Sequence, residues 1–303
     1  MNKQKLKRFF SLFLESWQIF KENHPGEFAS AIAYFSLFGL PSIFVIVIFC
    51  LSFFFETNTL YHELQKQLAV IIGEDSANIL GIITERYMIQ ASKNIWLLIA
   101  YTFTVLSLAT QLLVFFQDIL NNLWQVKPAF KSFWKKMWVE RGLTFILVLA
   151  TGILFFANVA LERGIEYATG GETGTNDPIV ILIINILTIL FVWLWFAVLY
   201  KILPFVKIKW EPTIVGAAIT TLLFLIGIWL LSVLVVDEGI EDLYDYAAPI
   251  VLVALWLFYN SLAFFYGASF TKAYARMRGK HIEPAHYAYR FKWVKDKDFD
   301  NKL

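Results

Sequence analysis

The sequence predicts an all-α, polytopic membrane protein with six transmembrane helices. Three observations carry this. Hydrophobic residues fill 58% of the 303 positions and charged ones 17%, against roughly a quarter charged in a soluble domain. The apolar residues stand in long runs, six of which reach the ~20 residues that a spanning helix needs. The charges lie between the runs, and the cations are sorted into alternate loops. The net charge of +2 conceals that sorting. The single cysteine, Cys50, excludes an intramolecular disulfide or a thiolate metal cluster.

The chain opens with an amphipathic arm. Over about residues 3–22, Leu6, Phe10, Phe13, Trp17 and Phe20 recur at steps of four and three, opposite Lys3, Lys7 and Glu15. This pattern predicts an interfacial helix on the anionic inner leaflet. The arm lacks the small-residue cleavage site of a signal peptide.

The spans follow. They run over about 27–55, 94–120, 142–161, 178–203, 212–236 and 247–275. Stretches such as ILVLATGILFFANVAL have almost no polar face, so buried helices of a soluble protein are a poor fit. Residues 58–92 are too long for a simple turn. Leu60, Leu64, Leu68, Ile71 and Ile72 make one helical stripe, and Ile79, Ile82, Ile83 and Tyr87 another. They predict two amphipathic helices capping the extracytoplasmic face. Residues 1–280 form a single membrane domain, and the tail, 281–303, lacks an apolar period and is expected to be loosely ordered.

Cation placement gives the direction. The arm, the loop after the second span, the loop after the fourth and the tail hold nearly all the Lys and Arg. The other loops hold only Lys66, Arg86, Lys93 and Arg163. Cytoplasmic loops are the Lys/Arg-rich ones, so both termini are expected in the cytoplasm. The opposite face is acidic, with Asp237, Glu238, Glu241, Asp242 and Asp245 in one run. A solvated acidic loop accounts for it, and a surface for a cation or basic partner is the sharper alternative.

Four stretches then carry a likeness. SAIAYFSLFGLP (Ser30 to Pro41), ILNNLWQV (Ile119 to Val126), LYKILPFVKIKWEPTIVGA (Leu199 to Ala217) and ALWLFYNSLAFFYGASFTKAYA (Ala254 to Ala275) occur in order. Together they resemble the YihY/BrkB family of bacterial inner-membrane proteins, once known as ribonuclease BN. The resemblance covers nearly the whole chain except the tail. It implies a transporter-like role or the handling of a lipid or envelope component. Two departures stand out. Ser269 occupies a position that is commonly acidic in the family, and Asp245 one that is commonly glycine.

No catalytic set emerges, so the chain is not expected to be an enzyme. The four histidines, His24, His62, His281 and His286, lack the i,i+4 spacing of paired zinc ligands. No nucleophile–base pairing is visible, and no cofactor, metal or nucleic acid is expected. Polar residues inside the spans usually face the bundle interior. Gln111, Asn158, Asn185 and Asn260 are therefore the candidate cavity lining, with interhelical hydrogen bonding as the plainer use of the same groups. Arg141, Lys201 and Lys207 are the candidate contacts for an anionic headgroup at the cytoplasmic mouth. Membrane lipids, and an anionic lipid or amphiphilic substrate, are the expected partners. The competing readings are a non-transporting envelope-integrity scaffold and, least favoured, a ribonuclease. The sequence leaves the oligomeric state open.

Overall fold

A computed structural model describes residues 3–51, scattered positions between 61 and 86, and residues 95–130, 132–168, 178–236 and 248–291. The described architecture is helical: α1 (Lys3–Glu22), α2 (Pro25–Leu51), α3 (Ile95–Leu123), α4 (Phe133–Ala168), α5 (Pro178–Ile202), α6 (Trp210–Val236) and α7 (Ala248–Met277). Two antiparallel ribbons join loops at one end. β1 (Val126–Pro128) pairs with β4 (Ala288–Arg290), and β2 (Val206–Lys207) with β3 (Glu283–Pro284). Among the described residues five helices are long and apolar enough to cross a membrane, namely α2, α4, α5, α6 and α7. The protein is an all-α, polytopic membrane protein.

Helix α7 is the hub, packed on α6, α2 and α1. Its contact with α6 depends on small residues. A methyl on Gly216 would overlap the Thr271 hydroxyl and stand 2.9 Å from the Gly267 carbonyl oxygen. A methyl on Gly267 would overlap the Thr220 hydroxyl. The two helices run antiparallel, so each glycine faces the other helix's threonine, and Gly227 receives the ring of Tyr259. Close backbone approach replaces the hydrophobic drive that lipid cannot supply. The hydroxyls need partners in an apolar medium. Thr220, Ser269 and Thr271 satisfy this by bonding the carbonyl one turn back, at 3.1, 2.9 and 2.8 Å. Tyr200 of α5 joins the seam, with its hydroxyl 2.6 Å from both Thr220 Oγ1 and the Phe264 carbonyl oxygen.

The arm forms α1, but its faces are not those the spacing suggests. Leu12, Ser16 and Ile19 are buried, while Phe10 is 67% exposed and Trp17 55%. Phe13 and Phe20 pack on α7, at ring distances of 5.2 Å to Phe270 and 5.7 Å to Tyr266. The helix is apolar on two sides, one turned to α7 and one exposed with Phe10 and Leu14, while Trp17 stands between them and still reaches the Tyr266 ring of α7 at 6.4 Å. Asn23 and His24, the latter at φ 48°, turn the chain into Pro25 at the start of α2; proline is preorganised for that first helical position.

Helix α4 begins at Phe133, well before the third expected span. Its charged first turns interrupt the apolar run without interrupting the helix, and they expose Trp134 and Trp138. Such side chains suit a membrane–water boundary. The described positions of the expected cap are helical. Gln65 Nε2 donates to Asn78 Oδ1 at 2.5 Å, and Gly81 lies against the Tyr61 hydroxyl. These pairs set two stretches side by side in opposite directions. The other positions of 58–92, the acidic run 237–246 with Asp245, and residues 169–177 lie outside the described residues.

The tail corrects the sequence reading most. Its first part, through Phe291, is ordered by both ribbons rather than loose. Three rings tie it down, with Phe130 at 5.1 Å from Tyr287, Phe205 at 5.5 Å from Tyr287 and Phe130 at 5.8 Å from Phe205. Residues 292–303 lie outside the described residues.

Candidate functional site

At the ribboned end, the ends of α3, α5 and α7 meet the start of α6. Helix α3 grips the turn between α5 and α6. Gln117 Nε2 donates to the Leu203 carbonyl at 2.6 Å, and Asn121 Oδ1 accepts the Phe205 N–H at 2.8 Å. Trp124 Nε1 donates to the Ala268 carbonyl of α7 at 3.2 Å. Three of the stretches noted in the sequence therefore touch one another here.

The way α3 and α7 end shapes a pocket of about 90 Å³. Helix α7 closes with Gly279 in the left-handed region at φ 63°. The Gly279 N–H bonds the Arg276 carbonyl at 3.0 Å, and the Lys280 N–H bonds the Ala275 carbonyl at 2.8 Å. This is the glycine-dependent helix stop that satisfies terminal carbonyls, and it folds Lys280 and His281 back beside Arg276. Opposite, Gln125 leaves α3 at φ 59°, an uncommon conformation for a residue with a side chain. Its carbonyl then accepts the Phe291 N–H at 3.0 Å, which sets the register of β1 on β4.

The lining is cationic: Lys272, Arg276, Lys280, His281 and Arg290, beside Trp124, Gln125, Ala275 and Ile282. Among the described residues it contains no carboxylate. Lys272 is only 8% exposed and donates to the Leu123 carbonyl at 2.6 Å. Arg290 Nη2 donates to the Ile282 carbonyl. Just outside the pocket, Glu15 of α1 pairs with Arg276 at 3.3 Å, and Glu211 of α6 pairs with Lys280 and, at 3.6 Å, with Arg278. Lys, Arg and His side chains of this kind can donate charge-assisted hydrogen bonds to an anion.

The residues singled out in the sequence lie elsewhere. Arg141 falls inside the apolar part of α4 and turns onto α3. It bonds the Ser107 carbonyl at 3.1 Å, Thr110 Oγ1 at 2.6 Å and Gln111 Oε1 at 2.7 Å. Lys201 folds onto its own turn, donating to the Ile208 carbonyl over the Trp210 ring. Lys207 is exposed and lies 3.1 Å from His286 Nε2. The three cations thus have separate partners and do not converge. The four candidate lining residues do not converge either. Gln111 holds Arg141, and Asn158 accepts from Thr188 at 3.3 Å. Asn260 donates to the Trp256 carbonyl of its own helix at 2.7 Å. Asn185 lies on an exposed face of α5, a helix apolar on every side whose sequence does not mark an inner face. Ser269 is fully buried. Among the described residues no three His, Cys, Asp or Glu are placed to hold a metal ion. The sequence reading missed the pocket; the run Arg276, Arg278, Gly279, Lys280, cations in a last helical turn followed by a stopping glycine, marks the end of α7 but not the space beside it.

The family described as Virulence factor BrkB matches residues 16–291, which take in the helices and both ribbons. A "UPF0761 membrane protein" of Haemophilus influenzae (strain 86-028NP) is 21% identical over 92% of this chain and 98% of its own length. One of Cronobacter sakazakii (strain ATCC BAA-894) is 26% identical over 84% and 85%. One of Stenotrophomonas maltophilia (strain K279a) is 22% identical over 90% of this chain and 62% of its own length. No solved structure matches the chain. With the match extending through the helical bundle to the tail ribbons, this chain belongs to the Virulence factor BrkB family and is a multi-pass membrane protein of bacteria.

Proposed function

We propose that this protein seizes an anionic amphiphile of the cytoplasmic membrane by its headgroup and handles it as a transporter does. The observation that carries the reading is the pocket at the ends of α3 and α7, whose lining among the described residues has four Lys/Arg side chains, a histidine and no carboxylate. The topology that goes with it has six crossings and both termini in the cytoplasm. Helix α3, 29 residues long, spans about 43 Å and is the sixth crossing beside the five others. The Lys/Arg-rich segments gather at the pocket end, which the positive-inside rule assigns to the cytoplasm. Purified full-length protein in vesicles should move a fluorescent anionic phospholipid between leaflets, and Lys272→Met should slow that movement. A wild type that moves no lipid but holds copurifying proteins would replace this reading with an envelope scaffold.

A further inference from the structure

We infer that the pocket takes a phosphomonoester, the terminal phosphate of an amphiphile, in preference to the phosphodiester of an ordinary phospholipid. This rests on the reading above that the pocket seats a headgroup.

The inference starts from charge. Of the four Lys/Arg in the lining, Arg276 is matched by Glu15 and Lys280 by Glu211. Lys272 and Arg290 are hydrogen-bonded to main-chain carbonyls, those of Leu123 and Ile282, and among the described residues neither has a carboxylate ion-pair partner. Both line the same small space, and Lys272 experiences the like charge of Arg290 and of Arg276. Glu15 and Glu22 oppose that repulsion only through space. Two cations are thus left facing the pocket. A carboxylate or a phosphodiester brings one negative charge. A phosphomonoester brings about −1.5 to −2 at neutral pH and three terminal oxygens. Those oxygens can accept from Lys272, from the forked donors of Arg290 and from His281.

Size points the same way. The pocket holds about 90 Å³, against the ~10–15 Å³ that one water requires. That is room for a phosphate group and not for a whole lipid. A monoester leaves such a pocket by a single ester bond. A diester carries two ester bonds and needs more of the space lined by Trp124, Gln125, Lys280, His281 and Ile282. A soluble phosphomonoester shares this chemistry, and the test separates the two sources.

Full-length protein is placed in phosphatidylcholine nanodiscs doped with phosphatidic acid or phosphatidylglycerol, and binding is read by native mass spectrometry. In detergent it is titrated with glycerol 3-phosphate. The expected result is about a tenfold preference for phosphatidic acid over phosphatidylglycerol. Lys272→Met and Arg290→Gln should each remove the preference. Arg290 is exposed, so its variant keeps the test valid if the Lys272 variant misfolds. Binding of glycerol 3-phosphate alone, lost in both variants, would uphold the monoester class and overturn the amphiphile reading. Equal retention of the two lipids, lost in both variants, would overturn the monoester class and leave that reading intact. Retention unaffected by either variant would overturn both.

Discussion

Lys272 Nζ lies 2.6 Å from the carbonyl oxygen of Leu123, the last residue of α3. A carbonyl in the last turn of a helix has no partner within that helix, and here a side chain from α7 supplies one. The same ammonium faces the pocket. Lys272→Met should therefore reduce anion binding and also cost about 1–3 kcal/mol by leaving that carbonyl unpaired. Thermal unfolding in detergent reads the second effect independently of the first. Unchanged stability would mean that the helix end is satisfied by other groups.

The seam between α6 and α7 has no spare room. Gly216→Ala and Gly267→Ala each drive a methyl into the opposite threonine and should cost roughly 1–3 kcal/mol by overpacking. Tyr200→Phe removes one buried hydroxyl from Thr220 and the Phe264 carbonyl and should cost about 1 kcal/mol. Melting temperatures order the three variants, and a Gly216→Ala protein as stable as wild type would contradict the close approach.

Gln125 of the pocket and Gly279 at the end of α7, both left-handed, make opposite predictions. Gln125→Gly relieves a backbone conformation that a side chain disfavours, and should be neutral or up to about 1 kcal/mol stabilising. Gly279→Ala imposes that strain on the end of α7 and should cost about 1–2 kcal/mol. Chemical denaturation of the pair checks the sign. A destabilised Gln125→Gly protein would show that the glutamine side chain itself carries a contact.

Asn121→Leu should loosen the turn between α5 and α6. It leaves the Phe205 N–H without its acceptor, a loss of about 1–3 kcal/mol. Phe205 packs on Phe130 and Tyr287, so the variant should also release the tail. Faster proteolysis within residues 282–291 is the expected readout, and an unchanged cleavage rate would separate the turn from the tail.

Much of the bundle was legible because its determinants are local. Apolar runs give the helices, whereas the facing of Gly216 with Thr271 and of Gly267 with Thr220 emerges only when α6 and α7 pack. The pocket was not legible, because Trp124 and Arg290 lie far apart in the chain and meet only through a ribbon of three residues per strand. Strands that short carry no readable alternation, so the tail looked patternless. The inner faces of the spans were hidden for a different reason. Where a helix is apolar all round, as α5 is, the sequence does not determine whether Asn185 faces its neighbours or the lipid. Arg141 misled through its place in a basic loop, since its long side chain reaches three acceptors on α3 instead of the mouth.

The most direct test of the pocket's role is native mass spectrometry of the full-length protein, gently extracted from its own membrane, with identification of the retained lipid. Wild type and Lys207→Gln protein should hold one anionic amphiphile, and a Lys272→Met, Arg290→Gln double variant should lose it. Retention of the same molecule by the double variant, or only bulk lipid on the wild type, would contradict a headgroup seat at the ends of α3 and α7.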